Sequence, residues 1–336
     1  MNTQIQKYGI GIFNTLENID YSAVLGCNVT SDSVNFDFLP LKKAREEKKY
    51  GKFIKNNVFF EQNEEAFAEY SFLYIPKSES GRVDIEFSAT VSSSAYILIA
   101  IDNDAQVDIV EHYNSPPGIH VQVDLVAIAG SHVEYIKDVR KRNAQIQTCH
   151  RAKIMAGSSV IWNEYIESHH NTIARTQSYL KQPGANSQIK SIIYSKEKGI
   201  ADVVHNMFHL AAMTTSNIQT AGLAKDESKG IYRSNIYIDA GAVKASGHQK
   251  AHFLQLSSKS EVDAVPQLEV HCHDVVCTHG VSITRYKPEH IFYMRSKGIE
   301  DKEAEKMLEL GHVRAILDTM SMTAQSTFEN ILSYEI

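Results

Sequence analysis

A chain of 336 residues that is 43% hydrophobic and 22% charged has the composition of an ordered globular protein, long enough for about two domains or one extended architecture. Its 34 basic and 40 acidic side chains leave a formal charge of −6 and a pI near 6.2, which offers no electrostatic footprint for nucleic acid or an anionic membrane surface. The N-terminus lacks a basic segment followed by an apolar run, and the greasiest stretches fall far short of the ~18–20 residues of a membrane span, so neither export nor membrane insertion is expected.

Residues 1–55 are mixed in character and partly helical. In LKKAREEKKYGKF, opposite charges three or four apart suit one exposed helix. From residue 56 to 285 the period changes to two. In IEFSATVSSSAYILIAI the positions Ile85, Phe87, Ala89, Val91, Ser93, Ala95, Ile97, Ile99 and Ile101 form an apolar or small set, and similar alternation returns in VQVDLVAIA, SSVIWNEYI, SQIKSIIYS and SNIYIDAGAVKA. Pro116 and Pro117 fall between such runs, in a loop, and leave the strands uninterrupted. The turn phrases DAQVDI, GSHVEY, GSSVIW and GANSQI recur at roughly 26 to 29 residues, a drifting period that fits a β-solenoid; a sandwich of short strands is the alternative.

The last stretch, 286–336, switches to helical signals and forms a small C-terminal domain. Pro288 opens a helix through EHIFYMRSK that stops at Gly298, DKEAEKMLEL is expected to close at Gly311, and the remainder is expected to be helix interrupted near Ser326, which has capping-box spacing to Glu329.

The chemistry-bearing residues concentrate in LEVHCHDVVCTHGVSI. Leu268, Val270 and Cys272 carry one apolar beat, with His271 and His273 opposite; after Asp274 the beat moves to Val275, Cys277, His279, Val281 and Ile283, implying a bend or bulge at His273–Asp274. A thiolate and an imidazole two apart on one strand face both suit a soft or borderline metal, but two donors do not complete a tetrahedral site. The spacing matches no zinc-finger or ferredoxin pattern, and a core cysteine beside a hydrogen-bonded histidine fits the same residues. His205 and His209 share a face and read as core or surface histidines, His169 and His170 as a solvated pair pointing opposite ways, and Cys27 and Cys149 as structural. Four scattered thiols in such a chain point to a reducing, cytoplasmic setting. With no phosphate-cradling glycine motif, no H-E-x-x-H and no G-x-S-x-G, the chain is expected to bind no nucleotide itself.

The run from Gly230 to Gly311 resembles the core of the SufB/SufD family, scaffold proteins of the SUF iron–sulfur cluster assembly system. The resemblance rests on the segment from Gln249 to Leu256, on Pro266 with Leu268 and Glu269, on Asp274–Val275, on the C-[ST]-H-G element from Cys277 to Gly280, and on the helix end from Phe292 to Ile299. It implies an all-β, right-handed parallel β-helix with a small C-terminal α-helical domain. It also implies a non-enzymatic scaffold that pairs with a SufB-like subunit or with itself through the β-helix and docks a SufC-like ABC ATPase through its C-terminal helices. The flanks of His279, Thr278 and Gly280, look more like SufD than the E-H-E arrangement of SufB, although His273 and Val281–Ser282 depart from the SufD pattern. Carried across, Cys277 and His279 are the candidates to contact a transient iron–sulfur cluster at the subunit joint, with Cys272 and His273 behind them. Phe292, Tyr293, Arg295 and Ile299 are candidates for the docking surface. A carbohydrate-active β-helix enzyme and a standalone metal-binding β-solenoid are the competing readings; the first requires a cleft with clustered carboxylates.

Overall fold

In the computed structural model, the described residues are 23–57, 70–88, 90–114, 118–141 and 145–335; Pro116, Pro117 and the first 22 residues lie outside them. In chain order the strands are β1 (Ala23–Val24), β2 (Gly26–Thr30), β3 (Asp37–Pro40), β4 (Tyr70–Ile75), β5 (Ser80–Ser88), β6 (Ser93–Ile101), β7 (Gln106–Asn114), β8 (Gly118–Ala127), β9 (His132–Lys141) and β10 (Gln145–Ile154). They continue as β11 (Ser159–Ser168), β12 (Asn171–Leu180), β13 (Asn186–Ser195), β14 (Ile200–His209), β15 (Thr215–Ala224), β16 (Lys229–Ile238), β17 (Ser246–Gln255), β18 (Glu261–Val270) and β19 (Val276–Arg285). Helices α1 (Leu41–Glu46) and α2 (Gly51–Asn57) lie near the start, and α3 (Pro288–Ser296), α4 (Asp301–Leu317) and α5 (Met322–Glu335) follow the last strand.

From β4 onward the chain alternates between two sheets. Even-numbered strands up to β18 stack in one and odd-numbered strands up to β19 in the other, each parallel to its neighbours. The result is a parallel β-solenoid of about eight turns. Period-two alternation dictates this outcome, because each coil has one apolar face that only the neighbouring coils and the opposite sheet can cover. The interior includes Ile97, Ile99, Val121, Val123, Trp162, Ile189, Ile218 and Ile236, all fully buried. Each such aliphatic side chain contributes roughly 1.5–3 kcal/mol.

One corner repeats along the stack. Ser78, Asp104, Gly130, Gly157, Gly184, Met213 and Lys244 all have positive φ, between 57° and 78°, and each sits just ahead of an odd-numbered strand. Backbone bonds run from corner to corner, as from the Asp104 N–H to the Ala129 carbonyl, the Gly130 N–H to Ala156 and the Lys244 N–H to Asp274. The recurring turn phrases enter their strands through this corner, and glycine recurs there because the left-handed conformation costs it nothing.

The two ends differ. At the start, β2 pairs antiparallel with β5 and β3 with β4, while Leu25, Val29 and Val34 join the core. LKKAREEKKYGKF forms two short helices in place of one exposed helix, because Leu41, Ala44, Tyr50 and Ile54 are buried on Phe72, Tyr96 and Leu98. At the far end, β18 and β19 have no further strand beside them among the described residues.

The C-terminal helices return to the solenoid. Val313, Ile316, Leu317, Met320, Ala324 and Phe328 of α4, α5 and their turn pack on Val110, Ile136, Tyr165, Ile192, Ala221 and Leu223 of the odd-numbered strands. Glu309, 2% exposed, is fixed there by the Tyr194 hydroxyl (2.6 Å) and the Lys225 ammonium (2.8 Å). Gly298 ends α3 with φ of +86°, as expected, but Gly311 lies inside α4. A helical glycine costs only about 1 kcal/mol, less than the packing of Val313, Ile316 and Leu317 beyond it provides. The break falls at 318–321, where the Ser321 hydroxyl accepts the Ala324 N–H at 3.2 Å; Ser326 lies within α5 and donates to the Thr323 carbonyl. Among the described residues, no helix is long and apolar enough to cross a membrane.

Candidate functional site

The uncovered coil carries the cysteine and histidine element. β18 ends at Val270 and β19 begins at Val276, so the change of beat at His273–Asp274 is a corner between sheets, in place of the expected bend or bulge within a strand. Leaving one sheet for the other resets which residues face inward. Cys277, His279, Val281 and Ile283 then stand in register with Gly247, Gln249, Ala251 and Phe253, the inward positions of β17.

Cys277 and Val281 are half-buried against the main core, whereas His279, on the same face, is exposed. Thiol and imidazole therefore sit side by side at the mouth of the solenoid, one seated on the core and the other in reach of an incoming group. Cys272 is also half-buried against the core from the preceding corner, and its neighbour His273 is exposed. None of the four cysteines is in a disulfide.

Val270, Val276 and Ile283 form an apolar rim around this mouth, with Val276 63% and Ile283 43% exposed. The outer edges of β18 and β19 add backbone groups without a strand partner among the described residues, a feature that stable monomers ordinarily cover. On the outer side of β19, Thr278 bonds His248 Nδ1 at 2.8 Å and Ser282 bonds His252 Nδ1 at 2.5 Å; burial, reinforced by Lys250, pushes the His252 imidazole pKa down. These contacts tie β19 to β17, so the Cys277–His279 pair rests on a fixed strand.

Among the described residues, no three His, Cys, Asp or Glu side chains converge as metal ligands. Cys277 and His279 place a soft and a borderline donor on one strand face, two of the four that a tetrahedral metal site needs.

Phe292 and Tyr293 of α3 are 70% and 63% exposed, while Ile291 is the residue of that helix turned inward. Arg295 grips Asp301 through two nitrogens and fixes the turn into α4, and Ile299 is half-buried there. His205 and His209 lie on strand β14 and are fully buried. His169 is not solvated as expected: it lies in the corner after β11, buried between Glu167 and Glu197 (3.0 Å), and only His170 is exposed.

The sequence reading missed a set of ionisable groups inside the solenoid: Glu111, Lys137, His150 and Glu164, all fully buried. The signal was present in VEYIKDV and VIWNEYI, where Lys137 and Glu164 fall on the apolar beat of their strands.

The family model for the SUF system FeS cluster assembly SufBD core domain matches residues 85–312. Similar curated proteins include iron–sulfur cluster assembly SufBD family proteins of Staphylococcus saprophyticus, Staphylococcus epidermidis and Staphylococcus aureus, each 22% identical over 292 residues. Each of these alignments covers 84% of this chain and 63% of the relative, so the chain spans less than two thirds of the length of the proteins it matches. The solenoid, the cysteine–histidine element on its last coil and the family match over most of the chain agree, and the chain belongs to the SufB/SufD family.

Proposed function

We propose that this chain is a scaffold subunit on which an iron–sulfur cluster is assembled as cargo, with Cys277 and His279 contacting the cluster and Cys272 and His273 supporting them. The observation that carries the reading is the placement of a thiol and an imidazole on the last coil, beside which no further strand lies among the described residues, inside an apolar rim. A second scaffold subunit, SufB-like or a copy of this chain, would seat its own last coil here, covering Val276 and Ile283 and completing the coordination. In this reading the described part of the N-terminal segment, residues 23–55, closes one end, the solenoid within 56–285 carries the site, and the helical domain of 286–336 docks a SufC-like ABC ATPase through the exposed Phe292 and Tyr293. The chain itself turns nothing over: Glu111 and Glu164, the inward carboxylates of the solenoid, are fully buried and bonded to protein partners, away from any sugar. The features around His279 favour a SufD-like role.

Anaerobic reconstitution with ferrous iron and sulfide, followed by visible absorption, tests this directly. Cluster absorption is expected for the unaltered chain and for Cys149→Ser, and is expected to fall at least tenfold in Cys277→Ser and His279→Ala. Equal absorption in all four would overturn the assignment. A chain that binds zinc with the same residues but forms no cluster would favour the standalone metal solenoid.

A further inference from the structure

The outer face of the even-numbered sheet carries a group of cations that the cluster reading does not use. α1 and α2 pack over β4, β6 and β8 of this sheet, and α4 and α5 over the odd-numbered strands. Further along, β10, β12, β14 and β16 turn Ala152, Ala174, Val203 and Ile236 inward and so present Arg151, Arg175, Asp202 and Arg233 outward. Arg175 shares a register row with Cys149 on β10 and with Val204 on β14, which pairs in turn with Arg233. Arg175 and Arg233 therefore lie two strands apart in one row, about 10 Å between backbones, with Arg151 one strand away on the other side.

Two carboxylates face this group, and each already holds a guanidinium. Asp124 accepts from Arg151 Nε and Nη2, both at 2.6 Å, and from the Tyr96 hydroxyl at 2.8 Å. Asp202, fully buried, accepts from Arg233 Nη2. Arg175 has neither an ion pair nor a hydrogen bond among the described residues, although its Nε is fully buried. Burial pulls its pKa below the ordinary guanidinium value, and the Arg151 charge adds to that against the opposing effect of Cys149. Burial, with the Arg175 charge added, likewise brings Arg233 down to about 10. Lys153, two residues beyond Arg151 on the same face, is lowered by burial and by Lys181. In a chain of net charge −6, this face thus gathers a surplus of positive charge around one guanidinium that has no acceptor. A half-buried cation without a counter-ion, flanked by like charges, is costly, and what it lacks is an anion.

We propose that Arg175 is the centre of a binding site for a small phosphate-type dianion on the outer face of β10 and β12. A guanidinium offers its donors in a planar fork that meets two oxygens of a phosphate at once, and none of the Arg175 donors is used within the described residues. Arg151 and Arg233 are tied to their aspartates, so they favour an anion through their field, with Lys153 adding to it. Cys149, the register neighbour of Arg175, supplies no competing charge: burial pushes its thiol pKa up, beyond what Arg175 and Arg151 pull it down, so the sulfur stays protonated. Tyr179, two residues past Arg175 on the same face and in register with Lys153, stacks on Phe208 with ring centroids 4.7 Å apart and bounds the site on that side. A dianion matches the surplus charge better than a single carboxylate, and a guanidinium set into the sheet suits a small anion better than the surface of a macromolecule. The site stands whether or not a cluster is assembled at the mouth of the solenoid.

Titration of the arginine-labelled full chain with inorganic phosphate and, in a separate arm, with glycerol phosphate tests the site at constant ionic strength and without iron. The Nε–H resonance of Arg175 is expected to shift and saturate with a Kd of about 1 mM or below. The thermal midpoint is expected to rise by about 3 °C or more at about 10 mM phosphate. Binding in either arm supports the site, and the tighter arm shows whether the phosphate arrives free or as an ester. In chloride alone, Arg175→Met removes an uncompensated charge and is expected to unfold at the temperature of the unaltered chain or higher, and to lose the response to phosphate. Arg175→Lys keeps the charge without the fork and is expected to bind at least tenfold more weakly. Should Arg175→Met fail to fold, Arg175→Lys and the Nε resonance decide. Equal stabilisation of the unaltered chain and Arg175→Met would reveal a general salt effect, and no saturation up to about 50 mM would reveal an arginine bonded to water alone. Either result would overturn the site whatever the cluster experiment gives.

Discussion

Gln249 on β17 stands in direct register with His279 on β19, a buried amide without a hydrogen-bond partner among the described residues, next to an exposed imidazole. Because Gln249 makes no protein hydrogen bond, Gln249→Leu removes none. Urea unfolding is expected to show unchanged stability or a gain of up to about 2 kcal/mol. Gln249→Glu places a carboxylate without a counter-ion in the same position and is expected to lose several kcal/mol. A loss above about 2 kcal/mol in the leucine variant would show that the amide holds the coil together.

His209 provides a pH test. It is fully buried, its ring nitrogens are 2.8 and 2.7 Å from the Thr214 and Ser216 hydroxyls, and burial lowers its pKa to about 4. In the unfolded chain the ordinary value is about 6.5. The unfolded state therefore binds the proton first as pH falls, and stability present above pH ~6.5 is lost on the way down to about 4, by roughly 3 kcal/mol. Unfolding free energies from urea titrations at pH 7.5 and 4.5 are expected to differ less in His209→Gln by about that amount. An identical difference would place the titration elsewhere.

Gly222 on β15 is needed for space. A Cβ there would lie 2.0 Å from Cδ1 of Phe253, whose ring fills the interior of the next coil. Gly222→Ala is expected to cost about 1–3 kcal/mol by forcing that ring aside, and Gly222→Ala with Phe253→Leu to recover part of it. Thermal unfolding of the two variants checks the coupling; additive losses would exclude it.

Glu309 anchors the helical domain. Removing its carboxylate leaves Lys225 and the buried Tyr194 hydroxyl unpaired under α4. Glu309→Ala is expected to loosen α4 from the solenoid at a cost of about 2–3 kcal/mol, with limited proteolysis opening first at 318–321. Cleavage at unchanged rate would show that the apolar contacts of Val313 and Phe328 hold the helices alone.

Much of this architecture was legible in the sequence, for identifiable reasons. Strands announced themselves by alternation, and the corner repeat was visible up to Gly184 because glycine marks the left-handed corner. It then faded, since Met213 and Lys244 take the same conformation without glycine. The face shared by Cys277 and His279 followed from counting in twos. Counting could not tell a corner from a bulge at His273–Asp274, because both shift the beat by one residue. The helix ends were misplaced where tertiary contacts overrode local signals: Gly311 is carried through α4 by packing of the residues after it, and Ser326 caps nothing. Lys137 and Glu164 broke the apolar beat in plain view, but their compensation comes from His205 and Thr176, distant in sequence and adjacent only once the coils stack.

Ile283, exposed on the rim and two residues from Val281 on the inward face, gives the most direct test of the claim that cluster assembly occurs at a joint between last coils. After anaerobic reconstitution, the mass of the complex and its bound iron and sulfide are measured across a size-exclusion peak, with the chain paired with itself or with a second scaffold subunit. The account predicts that Ile283→Glu lowers pairing and cluster content together, at least tenfold, with the solenoid's thermal transition unchanged. Full pairing and full cluster content in that variant would contradict it.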